Sequence, residues 1–268
     1  MKIATWNVNS IRLRLDRLLR WLDRYRPDVM CLQELKSIEE KFPFDALREV
    51  GYFVVVCGQP TYNGVAILSR DEPMKIRKSL GDSKEDQQAR FLSALIRGVH
   101  VLCVYVPNGS VVGSEKWAYK LEWLGRQRTY LETHHDPSET LALCGDFNVA
   151  PEDRDVANPE KWRDSVLCQE RGRRALRELC GWGLVDVFRQ HHPEGGLYSW
   201  WDYRQLGFPR NDGLRLDLVL ATESLARRSG LGRDRSTGEK GEAAFRSRAG
   251  HREFFRLIRS AWSASTHQ

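Results

Sequence analysis

Apolar and polar residues alternate along the opening "MKIATWNVNS" as they do in a strand buried on one face. Comparable short runs recur at 28–34 (DVMCLQE), 52–58 (YFVVVCG), 64–70 (GVAILSR), 91–98 (FLSALIRG), 99–107 (VHVLCVYVP), 140–148 (TLALCGDFN) and 214–222 (LRLDLVLAT). They are mostly β-branched or aliphatic and bounded by Gly, Pro or Asn, which predicts strands. Helical spacing takes over at 12–26, where Leu15, Leu18, Leu19 and Leu22 share a face and Pro27 follows as a stop. A second helix is predicted over 114–135 with Ser114 as its cap, and a third over 170–183, closing on Gly181 and Gly183. The elements do not alternate strictly as βαβ units, and hairpin-length links join several strands. The pattern therefore predicts one domain of mixed sheets flanked by helices, without repeats.

Residues 228–248 (RSGLGRDRSTGEKGEAAFRSR) break the pattern, being rich in Gly, Arg and Ser with few apolar positions. The organisation expected is a single catalytic domain over 1–228 and an aberrant, largely disordered tail over 229–268. Within that tail, residues 252–262 (REFFRLIRSAW) form a short helix candidate with Phe255, Leu257, Ile258 and Trp262 apolar.

The 268 residues are 41% hydrophobic, enough to bury a core. No apolar stretch is long enough to span a membrane, and no charged-then-apolar leader precedes the first strand. Met1 thus reads as the start of a mature, soluble, cytoplasmic protein, and nothing in the pattern points beyond a monomer. Cys31, Cys57, Cys103, Cys144, Cys168 and Cys180 lack metal-ligand spacing, and several lie inside apolar runs, so buried reduced thiols are expected. The net charge is +6, but residues 229–268 hold eight Lys/Arg against four Asp/Glu. That leaves 34 basic and 32 acidic residues in 1–228. The basicity belongs mostly to the tail and is weak evidence for a nucleic-acid partner.

Several strands end in polar residues ill-suited to a core. Asn7 interrupts the first strand, Glu34 ends "CLQE", and Tyr105 precedes the turn in "CVYVPNG". Asp146 and Asn148 end "LCGDFN", while Asp217 lies in the aliphatic "GLRLDLVL". Buried carboxylates need a partner or a cation. Grouped at one end of the sheets, where loops build sites, these residues suit phosphodiester hydrolysis. Glu34 would ligate a hard cation such as Mg²⁺. Asp146 would deprotonate or orient the attacking water. Asn7 and Asn148 would donate to phosphate or hold water and metal, and Tyr105 would stabilise developing charge.

The segments "ATWNVNSIR", "LQELK", "GVAILSR", "GDFNVAPEDRDVANPEKW", "YSWWDYR" and "GLRLDLVLAT" make the chain resemble the bacterial exodeoxyribonuclease III family, almost unbroken from residue 1 to about 228. "GDFN" alone marks only the wider endonuclease/exonuclease/phosphatase superfamily; the longer motifs carry the narrower likeness. The resemblance implies a four-layer sandwich of two mixed β-sheets flanked by helices, α/β in class and α+β in type. It implies an Mg²⁺- (or Mn²⁺-) dependent 3′–5′ exonuclease and abasic-site endonuclease of DNA repair, acting on double-stranded DNA with abasic sites or 3′ ends. It makes Glu34 the principal metal ligand, with Asn7, Asp146 and Asn148 in the metal site. Tyr105 becomes a catalytic phosphate-side residue, Asp146 the acid/base, Asn148 a phosphate contact, and Asp217 the aspartate that supports a catalytic histidine. Arg90 and Asn108 fall near the DNA backbone, and Lys116 and Lys120 on a phosphate-binding helix. Trp200, Trp201 and Phe208 fall in the segment that packs against the abasic sugar and minor groove; a core corner is the plain alternative for the tryptophans.

The family ends in Ser-Asp-His, Ala-Pro and a strand, and no such segment stands here. His251 lies closest in sequence, but follows Gly250 rather than an aspartate. Residues 244–252 (AFRSRAGHR) permit codons that, read one base later, spell P-S-D-H-A-P-V-I-V. Residues 229–236 (SGLGRDRS) likewise permit V-V-W-A-E-I-D-R. Both fit the family at its spacing, so a single-base frameshift near Arg228 and Ser229 is the expected origin of the tail. Two other readings remain open: a catalytically dead remnant that binds abasic DNA, and a superfamily phosphatase acting on a small phosphate ester.

Overall fold

The computed structural model describes residues 1–82, 88–202, 207–231, 242–246, 252–256 and 258–260. In chain order its strands are β1 (Lys2–Asn7), β2 (Val29–Gln33), β3 (Phe53–Cys57), β4 (Val65–Ser69), β5 (Met74–Arg77), β6 (Phe91–Ile96), β7 (Val99–Tyr105) and β8 (Leu141–Asp146). There follow β9 (Leu184–Asp186), β10 (Trp200–Trp201), β11 (Gly213–Leu214), β12 (Asp217–Thr222), β13 (Ser229–Leu231), β14 (Glu242–Arg246), β15 (Arg252–Arg256) and β16 (Ile258–Ser260). The helices are α1 (Ile11–Tyr25), α2 (Phe44–Glu49), α3 (Glu115–His134), α4 (Pro159–Trp162), α5 (Glu170–Cys180), α6 (Val187–His191) and α7 (Glu223–Ala226). All eight predicted strands and the helices predicted over 12–26, 114–135 and 170–183 are present. The short elements β5, β9 to β11 and most of the one-turn helices carry too few residues to show a period.

Two six-stranded mixed sheets form the centre, ordered β13-β16-β1-β2-β4-β3 and β5-β6-β7-β8-β12-β9. The pairs β1/β2 and β7/β8 are parallel. Between the sheets, Ile3, Val29, Cys31 and Ile67 meet Leu92, Val101, Cys103, Cys144 and Val219. The outer face of the first sheet packs Trp6, Met30 and Leu68 on Leu18, Trp21 and Leu22 of α1. The outer face of the second packs Leu102, Leu143 and Leu220 on Trp123, Leu124 and Leu131 of α3 and Leu176 and Leu179 of α5. These three apolar layers give the expected four-layer sandwich. Each Leu or Trp buried this way contributes about 1.5–3 kcal/mol. All six cysteines are free, and Cys31, Cys103, Cys144 and Cys168 are buried.

Local signals explain the helix ends. Arg26, ahead of Pro27, turns left-handed (φ 43°) and its N–H bonds the Leu22 carbonyl. The Ser114 hydroxyl accepts from the Trp117 N–H at 3.2 Å, the cap its position predicts.

The tail departs from expectation. The described residues of the helix candidate, 252–256 and 258–260, are the strands β15 and β16, and β16 runs antiparallel to β1 with Lys2 opposite Arg259 and Ile3 opposite Ile258. β13 pairs with the far side of β16, and β14 with β15. The physical reason is the free edge of β1, whose backbone N–H and C=O groups a strand satisfies and a helix does not. The remaining stretches of the expected disordered tail, 232–241, 247–251, 257 and 261–268, lie outside the described residues, as does His251.

Candidate active site

The strand ends that looked wrong for a core converge. Asn7 closes β1 and Glu34 follows β2, so the parallel pairing of these strands puts them side by side. Tyr105 closes β7 directly opposite Asp146 at the end of β8. Across the antiparallel partner, Asp217 opens β12 opposite the same Asp146. The two sheets thus present Asn7 and Glu34 from one side and Tyr105, Asp146 and Asp217 from the other.

Hydrogen bonds tie the two sides together. The Asn7 amide donates to Glu34 Oε1 at 2.8 Å and to Asp146 Oδ2 at 2.9 Å. The Tyr105 hydroxyl donates to the same Glu34 oxygen at 2.9 Å. Lys36 Nζ stands 3.2 Å from the other Glu34 oxygen. Sequence reasoning passed over Lys36, although "LQELK" places it two residues beyond the carboxylate.

The motif "GDFN" divides its labour residue by residue. A Cβ on Gly145 would fall 1.9 Å from the Val104 carbonyl, so only glycine lets β8 lie this close to β7. Asp146 enters the site, and Phe147 anchors the turn in the core behind it. Asn148 adopts φ 49° and Glu34 φ 51°, a left-handed backbone that costs a glutamate more than an asparagine. Such strain gathers at functional positions. The Asn148 side chain is spent within the protein: its amide donates to the Val106 carbonyl, and its oxygen accepts from Asn108.

Asp146 is nearly fully buried. Burial and the adjacent Asp217 push its carboxyl well above the ordinary carboxylate range; bonds from Asn7 and from the Asn148 N–H oppose this without cancelling it. Burial also pushes the Tyr105 hydroxyl up, with Glu34 and Asp146 adding to it, so it stays protonated and able to donate. An acid cluster held this far from charge balance, with oxygen donors only, fits a hard divalent cation rather than a soft one.

Beside the cluster opens a cleft of about 430 Å³, lined among others by Tyr62, Arg90, Tyr105, Asn108, Lys116 and Tyr119. Arg90 lies over the Tyr105 ring, 4.7 Å from its centroid, and bonds the Tyr105 carbonyl at 3.1 Å. Lys116 is exposed. Lys120 is not: it is fully buried, and its ammonium donates to the carbonyls of Asn108, Asn148 and Val166 at 3.0, 2.7 and 2.7 Å. The expected phosphate-facing role at Lys120 gives way to a clamp on the two loops that carry the site asparagines. Its signal was present in the sequence, since Trp117, Lys120, Leu124, Gln127 and Leu131 recur at helical spacing and all are buried.

The aromatic segment is packed more deeply than a free wedge. Trp201 is buried, with Phe208 at 5.3 Å and Tyr198 at 6.5 Å between ring centroids. Trp200 is partly buried edge-on to Trp162 at 5.7 Å. Residues 203–206 of this segment lie outside the described residues. The described histidines bond elsewhere, His191 to Ser229 and His192 to Glu194.

Carboxylate oxygens converging at the ends of two sheets are donors of the kind that hold a hard divalent cation. The endonuclease/exonuclease/phosphatase family profile matches residues 4–239, and the chain belongs to that family. It is 35% identical to the exodeoxyribonuclease III of Haemophilus influenzae, over 85% of this chain and 90% of that one. Among solved structures it superposes on an AP endonuclease from Archaeoglobus fulgidus with TM-score 0.89 at 37% identity, covering 97% of this chain and 99% of that one. A 3′ phosphatase from Neisseria bound to product DNA hairpin gives TM-score 0.86 at 36% identity, over 98% and 100% of the two chains. Among the described residues no helix is long and apolar enough to cross a membrane.

Proposed function

We propose that this chain is a DNA repair nuclease that hydrolyses phosphodiesters of duplex DNA at abasic sites and at 3′ ends. The observation that carries this reading is the single hydrogen-bonded cluster of Asn7, Glu34, Tyr105 and Asp146 drawn from both sheets. Glu34 and Asp146 would hold Mg²⁺ or Mn²⁺, with Asn7 and Asn148 nearby. When bound, the ion neutralises charge on the phosphate and the leaving oxygen. Asp146 takes the proton of the attacking water. Tyr105 keeps its proton and donates to the phosphoryl oxygen as charge builds there. Arg90 braces the Tyr105 ring, and Lys116 and Asn108 on the cleft rim meet the DNA backbone. Trp200, Trp201 and Phe208 shape the face that receives the gap left by a missing base. The working form is a cytoplasmic monomer.

The tail sets the rate. Residues 1–228 form the catalytic unit, and the Asp-His pair that would polarise the water from the Asp217 side is written in the shifted reading frame. Members of a catalytic unit act together, so its loss removes most of the rate. The test is incision of a duplex carrying one abasic site in Mg²⁺, by this chain beside a version with residues 229–268 read one base later. Cutting by the shifted version alone supports both parts of the reading. Cutting by both shows the histidine to be dispensable here, and cutting by neither overturns the nuclease assignment.

A further inference from the structure

His100, His135 and Glu139 form a second polar cluster, remote from the acid site. His100 is the second residue of β7 and Tyr105 the last, so the two stand about 17 Å apart. His135 caps the C-terminus of α3, and Glu139 lies in the short link from α3 to β8. The chain therefore brings both histidines and the glutamate together at the end of the second sheet opposite the catalytic residues. Each offers one ligand atom, and the three atoms lie within 4.8 Å of one another. Glu139 Oε2 stands 2.9 Å from His135 Nδ1 and 3.7 Å from His100 Nε2. The two imidazoles meet edge to face at 4.7 Å between centroids.

A second observation concerns His135 alone. Its side chain is only 6% exposed, and its Nε2 is buried with no hydrogen-bond partner. A buried imidazole nitrogen without a partner is costly. Nδ1, which faces Glu139 Oε2, is the nitrogen placed to share an ion with that oxygen and with His100 Nε2. The donor set differs in kind from the acid site. Two imidazoles and a carboxylate select Zn²⁺ and its transition-metal neighbours, whereas all-oxygen sets take Mg²⁺ and Mn²⁺.

We propose that His100, His135 and Glu139 bind one Zn²⁺-class cation, separate from the ion of the active site. The ion takes one nitrogen from each imidazole and one carboxylate oxygen, with water completing four-coordination. It joins β7, the end of α3 and the link into β8. Because β7 and β8 carry Tyr105 and Asp146 at their far ends, it stiffens the strands that present the site without touching the reaction.

The test is a Co²⁺ titration of the full chain in excess Mg²⁺, followed by visible absorption. The expected result is one equivalent with the intense bands of a four-coordinate, nitrogen-containing site, displaced by Zn²⁺. His100→Ala weakens this binding about tenfold or more, while abasic-site incision in Mg²⁺ is unchanged. The proposal is overturned if only the faint bands of a six-coordinate oxygen site appear, or if the intense bands persist at equal affinity in His100→Ala. Should that variant fail to fold, His135→Gln supplies the same comparison. Zn²⁺ added to the unaltered chain in excess Mg²⁺ should also raise the melting temperature by roughly 5–10 °C at a hundredfold excess over its dissociation constant. No rise counts equally against the site.

Discussion

Asp146 and Asp155 stand nine residues apart in the chain and both are buried, but their surroundings are opposite. Asp155 lies between two guanidiniums, the fully buried Arg215 and the nearly buried Arg189, and Arg215 also reaches Asp186 at 2.6 Å. Burial would push the Asp155 carboxyl up, but the hydrogen bond and charge of Arg215, then of Arg189, outweigh it and leave the group below its ordinary value. Asp146 has Asp217 and Glu34 for neighbours, and its carboxyl is driven the other way. One aspartate is neutralised by the chain and helps to hold it together. The other is, in the proposed function, the group that meets a cation and a proton from water.

The sharpest break of this comparison is a matched pair of substitutions. In the version with residues 229–268 read one base later, Asp146→Asn should lower incision by about 10²–10⁴-fold while leaving the melting temperature equal or higher, because an uncompensated buried charge is removed. Arg215→Met should do the reverse. It leaves Asp155 and Asp186 without their shared partner and costs about 3–5 kcal/mol of stability, with incision per folded molecule little changed. If thermal melts place both variants equally below the parent chain, the contrast between the two aspartates is wrong.

Lys120→Met probes the border between the two roles. It strands two buried carbonyls and a partly buried one and costs about 1–3 kcal/mol. It should also lower kcat more than it raises KM, because two of those carbonyls belong to Asn108 and Asn148. Single-turnover incision separates the two parameters; a pure KM effect would return Lys120 to a DNA-binding role.

The smallest effect is the dependence on pH. The folded-state affinity of Asp146 for its proton is raised, so its contribution to stability is complete below its ordinary value of 3.8 and is lost as pH rises through the raised value. In chelator, urea melts should show stability falling over that window by up to about 1.4 kcal/mol per pH unit. The slope should flatten in Asp146→Asn and on adding Mg²⁺. An unchanged slope in the variant would assign the titration to another group.

Much of this was legible in the sequence. Aliphatic and β-branched runs bounded by Gly, Pro or Asn exposed every long strand, and polar residues at strand ends exposed Asn7, Glu34, Tyr105, Asp146 and Asp217. Which of them meet was not legible, because register across two sheets is fixed by packing rather than by local pattern. Arg215 escaped notice although it stands between Leu214 and Leu216 in an apolar run, where a charge signals a buried partner elsewhere in the chain. Lys120 was read by its charge when its helical spacing placed it inward. The tail misled for a different reason. Its apolar residues fit a helix locally, and the unpaired edge of β1, some 250 residues upstream, is invisible at that range.

That pairing bears on how the chain is made. Ile3 leaves the ribosome 255 residues before its partner Ile258. At about 5–20 residues per second, β1 waits on the order of 13–50 s with one edge open. Throughout synthesis the strand that carries Asn7 is a template for whatever strand reaches it first, so the nascent chain, more than the finished one, is the form that needs a chaperone.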